Sequence, residues 1–279
     1  MRSMARTGSI NHQVGLILKQ HNGIHQSKLE SRNNSGLKSI ESGHKISDKF
    51  HSYKSLDNVR NDLKNLGNFA KENGIKDMSK ININTVKEWI YNKDITYNTA
   101  SNYLSELNKV HSHMNFSREE IKDLRAEFKA ELKTNTLYSR EYKHLDKMQL
   151  PDKSQIAFEL QKNYGLRVNA ATNINIDKQI NGNTLSYHEK GGKLSEKELN
   201  PTLISKIKEN AVNGKFQVSY NTYRDQLKKE IEKTGQKYNG THGIRHTYAQ
   251  NQLIAGKTKL EVSKELGHTR EEITNTYLR

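Results

Sequence analysis

The stretch GTHGIRHTYAQ, residues 240–250, sets His242, Arg245 and His246 close together in an otherwise helical pattern. His242 and Arg245 are three apart, which on a helix places both side chains on one face. A guanidinium holds two phosphate oxygens at once, and an imidazole can donate to a third or carry a proton. If a helix begins here, its free amide groups add donors for an anion. Alone the pattern is weak, because a solvated basic turn accounts for it.

Other residues of the same chemistry follow an order along the second half of the chain. NYGLRVNAAT carries Arg167 after a Gly-Leu pair, and YHEKGG carries Lys190 ahead of a Gly-Gly turn. ELGHTREEITNTYLR carries His268 after Gly267, then Tyr277 nine residues on. The set reads Arg167, Lys190, His242, Arg245, His268, Tyr277. In that order, and with the stretches YGLRV, HEKGGK, THGIRHTYA, LGH and ITNTYLR, the chain resembles the tyrosine recombinase (phage integrase) family, which includes the Xer recombinases. The resemblance covers residues 164–279 well and the preceding helical region more weakly.

The resemblance implies an enzyme that breaks and rejoins DNA strands through a 3′-phosphotyrosine, without metal, nucleotide or other cofactor. Tyr277 would be the nucleophile, and its phenol, with an ordinary pKa near 10, needs proton removal and charge relief. Arg167 and Arg245 would hold the nonbridging oxygens through the transition state, with His268 donating to the same phosphate. His242 would accept the phenol proton. Lys190 would protonate the leaving 5′-oxygen, a task that needs its pKa to fall toward neutrality. Lys193 flanks the same turn and is the rival for that role. His246 is expected to support the fold, Tyr238 and Tyr248 to be core or groove-facing aromatics, and His268 would also serve as a cap beside Gly267. No His or carboxylate group sits at metal-ligand spacing, so no metal site is expected.

Two departures stand out. Many members carry an acidic residue three positions after the first arginine. Ala170 stands there, so an orienting carboxylate must come from elsewhere. Members also often continue past the tyrosine into a further helix, whereas Leu278 and Arg279 end this chain. That bears on how subunits assemble rather than on the chemistry.

Composition agrees with a polyanionic partner. The 279 residues carry a formal charge of +15, which points first to nucleic acid and second to an acidic membrane surface. No apolar run approaches the roughly 20 residues of a membrane span, and the start, MRSMARTGSINHQ, lacks a signal-peptide apolar core. There is no cysteine, which excludes disulfides, thiolate catalysis and Cys-zinc sites. A cytoplasmic, nucleoid-associated protein is the expectation. Double-stranded DNA carrying a recombination site is the expected partner, with a homotetramer in the synaptic complex and accessory DNA-bending or directionality proteins as further partners.

The elements that must position these residues divide into regions. Residues 1–47 read as a flexible segment, rich in Ser, Asn and Gly near its end, with an arm-type DNA-binding role open to it. Residues 48–135 read as a four-helix core-DNA-binding domain. There Leu56, Val59, Leu63, Leu66 and Phe69 recur at helical spacing, Asn73-Gly74 forms a stop, Asn84 an N-cap, and Ser117 with Glu120 a capping box. Residues 136–150 read as a linker, and residues 151–279 as a catalytic domain of helices around a small antiparallel sheet of about three strands, with turns at Asn181-Gly182 and Gly191-Gly192. The fold class is thus mainly α, a helical domain plus a mixed α/β domain, and the resemblance implies a C-shaped clamp on DNA. The leading function is integrase of a phage or other mobile element. The alternatives are an Xer-like resolvase of replicon dimers, a protelomerase-like hairpin maker (which the short length argues against), and a non-catalytic DNA-binding protein. The last would explain the charge but not the ordered six residues.

Overall fold

Apolar residues spaced three and four apart build the first half of the chain into α1 (Ile10–Gln20), α2 (Lys28–Asn34), α3 (Tyr53–Glu72), α4 (Ile83–Tyr91), α5 (Tyr97–Val110) and α6 (Arg118–Glu131). The computed structural model describes residues 8–134, 140–189, 194–268 and 271–277. Two units separate, residues 1–136 and 137–279. In α3 the buried stripe is Leu56, Val59, Leu63, Leu66, Gly67 and Ala70, and Gly74, at φ 83°, follows its end. Ser117 and Glu120 close a reciprocal capping box on α6. The cap of α4 is Asn82 rather than Asn84: its side chain accepts from Thr85 N–H at 2.9 Å.

Residues 1–47, expected to be a flexible segment, contain α1, whose Ile10, Val14, Ile17 and Leu18 belong to the core of the first unit. The reason lies at Gly67. A Cβ there would stand 2.5 Å from Ile10 Cγ2 and 2.9 Å from Met78 Sδ, so the missing side chain is what lets α1 lie against α3. Gln13 fastens the contact, accepting from Met78 N–H at 2.9 Å and donating to Lys76 O at 3.0 Å.

The second unit contains α7 (Asp152–Tyr164), α8 (Val168–Thr172), β1 (Asn173–Asn175), α9 (Ile176–Gln179), β2 (Ile180–Asn181), β3 (Thr184–His188), β4 (Leu194–Glu198), α10 (Pro201–Glu209), β5 (Lys215–Gln217), α11 (Tyr220–Lys233), α12 (His242–Ile254) and α13 (Lys259–Glu265). A 3₁₀ segment, Glu271–Thr276, precedes Tyr277. The fold is mainly α, a helical unit followed by a mixed unit with small antiparallel sheets. Strands β2, β3 and β4 form the expected three-stranded sheet, with β2 and β3 joined through Gly182 at φ 57°. The Gly191-Gly192 turn lies outside the described residues. A second pairing, β1 with β5, was not expected, since three-residue strands show no alternation and these two lie some forty positions apart. The expected linker also does more than connect: Tyr142, Leu145, Met148 and Leu150 are buried in the second core with Phe158, Phe216, Tyr223 and Ile244. Among the described residues no helix is long and apolar enough to cross a membrane.

The docking of α1 gives one substitution opposite effects at two glycines. Gly67→Ala forces a methyl into Ile10 and Met78 and should cost about 1–3 kcal/mol. Gly15→Ala, inside α1 with open space around its Cβ position, should add about 0.5–1 kcal/mol. Urea unfolding of both variants measures this, and shifts of the same sign would mean that α1 does not sit on α3.

Candidate active site

The site is built where two helices end in left-handed glycine turns. Helix α7 stops at Gly165, φ 66°, whose N–H donates to Gln161 O at 3.0 Å while Leu166 N–H reaches Leu160 O at 3.4 Å. Leu166 then drops into the core, and Arg167 emerges as the first residue before α8. Helix α13, opened by a Thr258–Glu261 capping box, is followed by Gly267, φ 64°. There Gly267 N–H donates to Lys264 O at 2.9 Å and His268 N–H to Ser263 O at 3.0 Å, the paired bonds of a Schellman turn. Neither glycine tolerates a side chain. A Cβ at 165 would meet the Tyr248 ring at 2.5 Å, and one at 267 would meet the Glu189 carboxylate at 2.6 Å.

Arg245 joins these two turns. It lies one helical turn into α12 and is 0% exposed. Its Nη1 donates to Gly165 O and its Nη2 to Leu266 O, so one guanidinium satisfies a carbonyl at each helix end. A fixed positive charge there also complements the negative ends of both helix dipoles. Segment 140–145 holds the start of α12. Tyr142 N–H donates to Thr247 Oγ1 at 2.7 Å, the Tyr142 hydroxyl donates to Gly240 O at 2.9 Å, and its ring fills the space where a Cβ on Gly243 would go. Gly243, between His242 and Arg245, is therefore required by packing.

Tyr277 lies in the pocket that results, after a 3₁₀ turn rather than within an α-helix. The Arg245 guanidinium lies over its ring, with Cζ 5.8 Å from the centroid. The rings of His246, His268 and His242 lie 4.5, 5.0 and 6.4 Å from it. His246, expected only to support the fold, packs on the Tyr277 ring. His268 Nδ1 is 2.8 Å from Thr274 Oγ1, and its buried Nε2 has no partner among the described residues. In the tautomer whose Nδ1 accepts from the threonine hydroxyl, Nε2 carries the proton and can donate.

Of the six expected residues, the structure gathers Arg167, Arg245, His268 and Tyr277, with His242 at the rim on an exposed position. Lys190 and Lys193 lie outside the described residues. Ala170, where an acidic residue was looked for, packs against the core. Sequence reasoning missed Glu189, which is buried and forms an ion pair with Arg167. Nothing in its local sequence marks it, since Glu196 and Glu198 lie in the same hairpin. It also missed Lys197, which strand alternation places on the face of Leu185 and Tyr187, where burial depresses its ammonium pKa while Glu265 opposes. Tyr248 is buried and donates to Glu265 at 2.9 Å. Among the described residues no group of three His or carboxylate side chains could hold a metal.

The electrostatics of the cluster are set by burial and by its two arginines. Burial pulls the Arg245 pKa down, and burial plus the neighbouring Arg245 does the same to Arg167. His268 is pushed down to about 4, by burial first and then by Arg245 and Arg167. His246 also falls to about 4, by burial and then by Arg140 and His242. Both imidazoles are therefore neutral at pH 7. Such a cluster of donors and two guanidiniums beside a phenol suits binding a tetrahedral oxyanion and attacking it.

No protein-family model matches the sequence, and no curated protein matches it. Solved structures do share the fold. The XerH site-specific recombinase bound to difH substrate, in a pre-cleavage complex, superposes with a TM-score of 0.64 at 16% identity, over 97% of this chain and 92% of that one. A lambda integrase dimer bound to a COC′ core site gives 0.58 at 17% identity, over 82% and 89%. The Tn1549 transposon integrase in complex with transposon right end DNA gives 0.52 at 12% identity, over 98% and 95%. The chain has the fold of these recombinases.

Two outcomes follow from the geometry. Arg245→Lys keeps the charge but cannot reach both carbonyls, so it should destabilise the second unit by about 1–3 kcal/mol for the acceptor left unpaired. An unchanged unfolding midpoint would remove the guanidinium from its bracing role. The second concerns pH. With folded pKa values near 4 against an ordinary 6.5, the unfolded chain binds more protons between those limits. Stability is then full above about pH 6.5 and falls as pH drops toward 4. Melts at pH 7 and 4.5 should show a smaller loss for His246→Gln than for wild type, and an equal loss would mean that His246 is not buried neutral.

Proposed function

We propose that the protein is a site-specific DNA recombinase that cleaves and rejoins strands through a 3′-phosphotyrosine intermediate, with Tyr277 the nucleophile. The observation that carries this reading is the Tyr277 ring set 5.8 Å from the Cζ of the buried Arg245 guanidinium, with His268 against the same ring and Arg167 near enough to Arg245 for the two charges to repel. The charge of +15 supports a DNA partner, as do solved structures of the same fold that contain DNA.

In the cleavage step the Tyr277 oxygen attacks the scissile phosphorus and the phosphorus–O5′ bond breaks. His242 accepts the phenol proton, and Lys190 gives a proton to the departing 5′-oxygen. Arg167 and Arg245 take up the charge on the nonbridging oxygens, and His268 Nε2–H adds a donor. The new phosphodiester to tyrosine keeps the energy of the old one, so a 5′-hydroxyl from another strand reverses the step without ATP. Positive charge that a metal ion would otherwise bring is supplied by the two arginines.

Exchange of four strands in two pairs calls for a homotetramer on two DNA sites, with accessory DNA-bending or directionality proteins as added partners. Integration of a phage or other mobile element is the favoured role. Resolution of replicon dimers is the second reading, favoured by the likeness to XerH along nearly the full length of both chains.

On a nicked suicide substrate, wild-type protein should form a covalent adduct that survives a denaturing gel, in excess EDTA and without ATP. Tyr277→Phe should lower adduct formation at least about 1,000-fold, the scale of removing a nucleophile, while DNA affinity holds. Adduct from the Phe variant, or a strict need for magnesium, would count against the mechanism.

A further inference from the structure

The buried Arg245 guanidinium repels the half-buried one of Arg167 and lowers its pKa accordingly. A desolvated charge is held in place by an opposite charge or by hydrogen bonds: Arg245 has its two carbonyls, and Arg167 has a carboxylate. Ala170 cannot provide one. The carboxylate at Arg167 belongs to Glu189, the residue after the end of β3 and immediately before Lys190 in the chain. Its side chain is 2% exposed, against 22% for that of Arg167. On its other side it lies against Gly267, where a Cβ would stand 2.6 Å from Oε1 and 2.8 Å from Cδ. One carboxylate thus touches the arginine on one side and the turn that presents His268 on the other.

We propose that Glu189 is the positioning residue for Arg167, taking the part left vacant at Ala170, and that through Gly267 it also fixes the distance between Arg167 and His268. The inference rests on the active-site reading above, since it assigns Arg167 to the scissile phosphate. Glu189 itself touches no reacting atom. Its negative charge keeps the guanidinium in place, and Arg167, the more exposed partner, turns its remaining N–H groups to the phosphate. The close fit at Gly267 explains why an acidic side chain reaches here from the hairpin: a side chain at 267 would occupy the carboxylate's space.

The test is single-turnover cleavage of the nicked suicide substrate by the full chain, with DNA affinity and melting temperature measured for each variant. Glu189→Gln keeps the shape and removes the charge. It should slow cleavage about 100-fold, the cost of misplacing a catalytic group by about an ångström, with affinity little changed. Combined with Arg167→Ala it should be no slower than Arg167→Ala alone, because a residue that acts through Arg167 has nothing left to act on. Adding Ala170→Glu to Glu189→Gln, which returns a carboxylate one helical turn from Arg167, should recover about tenfold or more of the loss. Cleavage at or above the wild-type rate by Glu189→Gln would overturn the proposal, and a faster rate would mean that Glu189 occupies the phosphate's place. Additive penalties in the double variant would also overturn it. If Glu189→Gln lowers the melting temperature, the Ala170→Glu variant decides: restored stability without restored cleavage assigns Glu189 to structure alone. Absence of any covalent adduct from wild type would sink the recombinase reading instead.

Discussion

Everything in the second unit depends on where one guanidinium goes. Arg245 is fully buried, and it finds its partners in Gly165 O and Leu266 O, main-chain carbonyls at the ends of two helices separated by a hundred residues of chain. A buried cation without such partners would be very costly. Its contacts therefore fix α7, α12 and α13 together, and with them the places where Arg167 and His268 leave their turns. The group that would meet a phosphate is the same group that assembles the pocket around it. This is why the residues cluster so tightly: chemistry and architecture share an atom set.

The remaining charges are arranged around that fixed one. Arg167 stands beside Arg245 and is balanced by Glu189, while His246 and His268 stay neutral because burial and nearby cations forbid a further proton. The His268 Nε2 has no partner among the described residues, and the ring of His246 becomes a surface for Tyr277 to rest on. An arriving phosphate would add negative charge beside Arg245, which donates to two neutral carbonyls. Preorganised donors of this kind need no rearrangement when charge develops.

Much of this was legible in the sequence, for reasons that can be named. The stripe Leu56, Val59, Leu63 and Leu66 announces α3 because helix burial has a period, and Ser117 with Glu120 announces a helix start because the cap is local. The order Arg167, Lys190, His242, Arg245, His268, Tyr277 is visible through its resemblance to a family, and of these six the structure gathers Arg167, Arg245, His268 and Tyr277 around one pocket. What was not legible is tertiary. Nothing local says that Glu189 should pair with an arginine on another element, or that Asn82 should cap α4 in preference to Asn84. The pairing of β1 with β5 joins strands too short to alternate. Residues 136–150 read as a connector because apolar positions such as Tyr142, Leu145, Met148 and Leu150 follow no regular period, yet these four are buried.

The seat of α1 against Gly67 has a practical side. A fragment cut at residue 48, where composition shifts and a domain start looks natural, would uncover the apolar face of α3 around Gly67 and leave Met78 N–H without Gln13. Exposed apolar surface of that kind drives self-association. A soluble, separately expressed helical unit has to begin ahead of Ile10, so the segment that looks most dispensable in composition sets the limit on how far the chain can be trimmed.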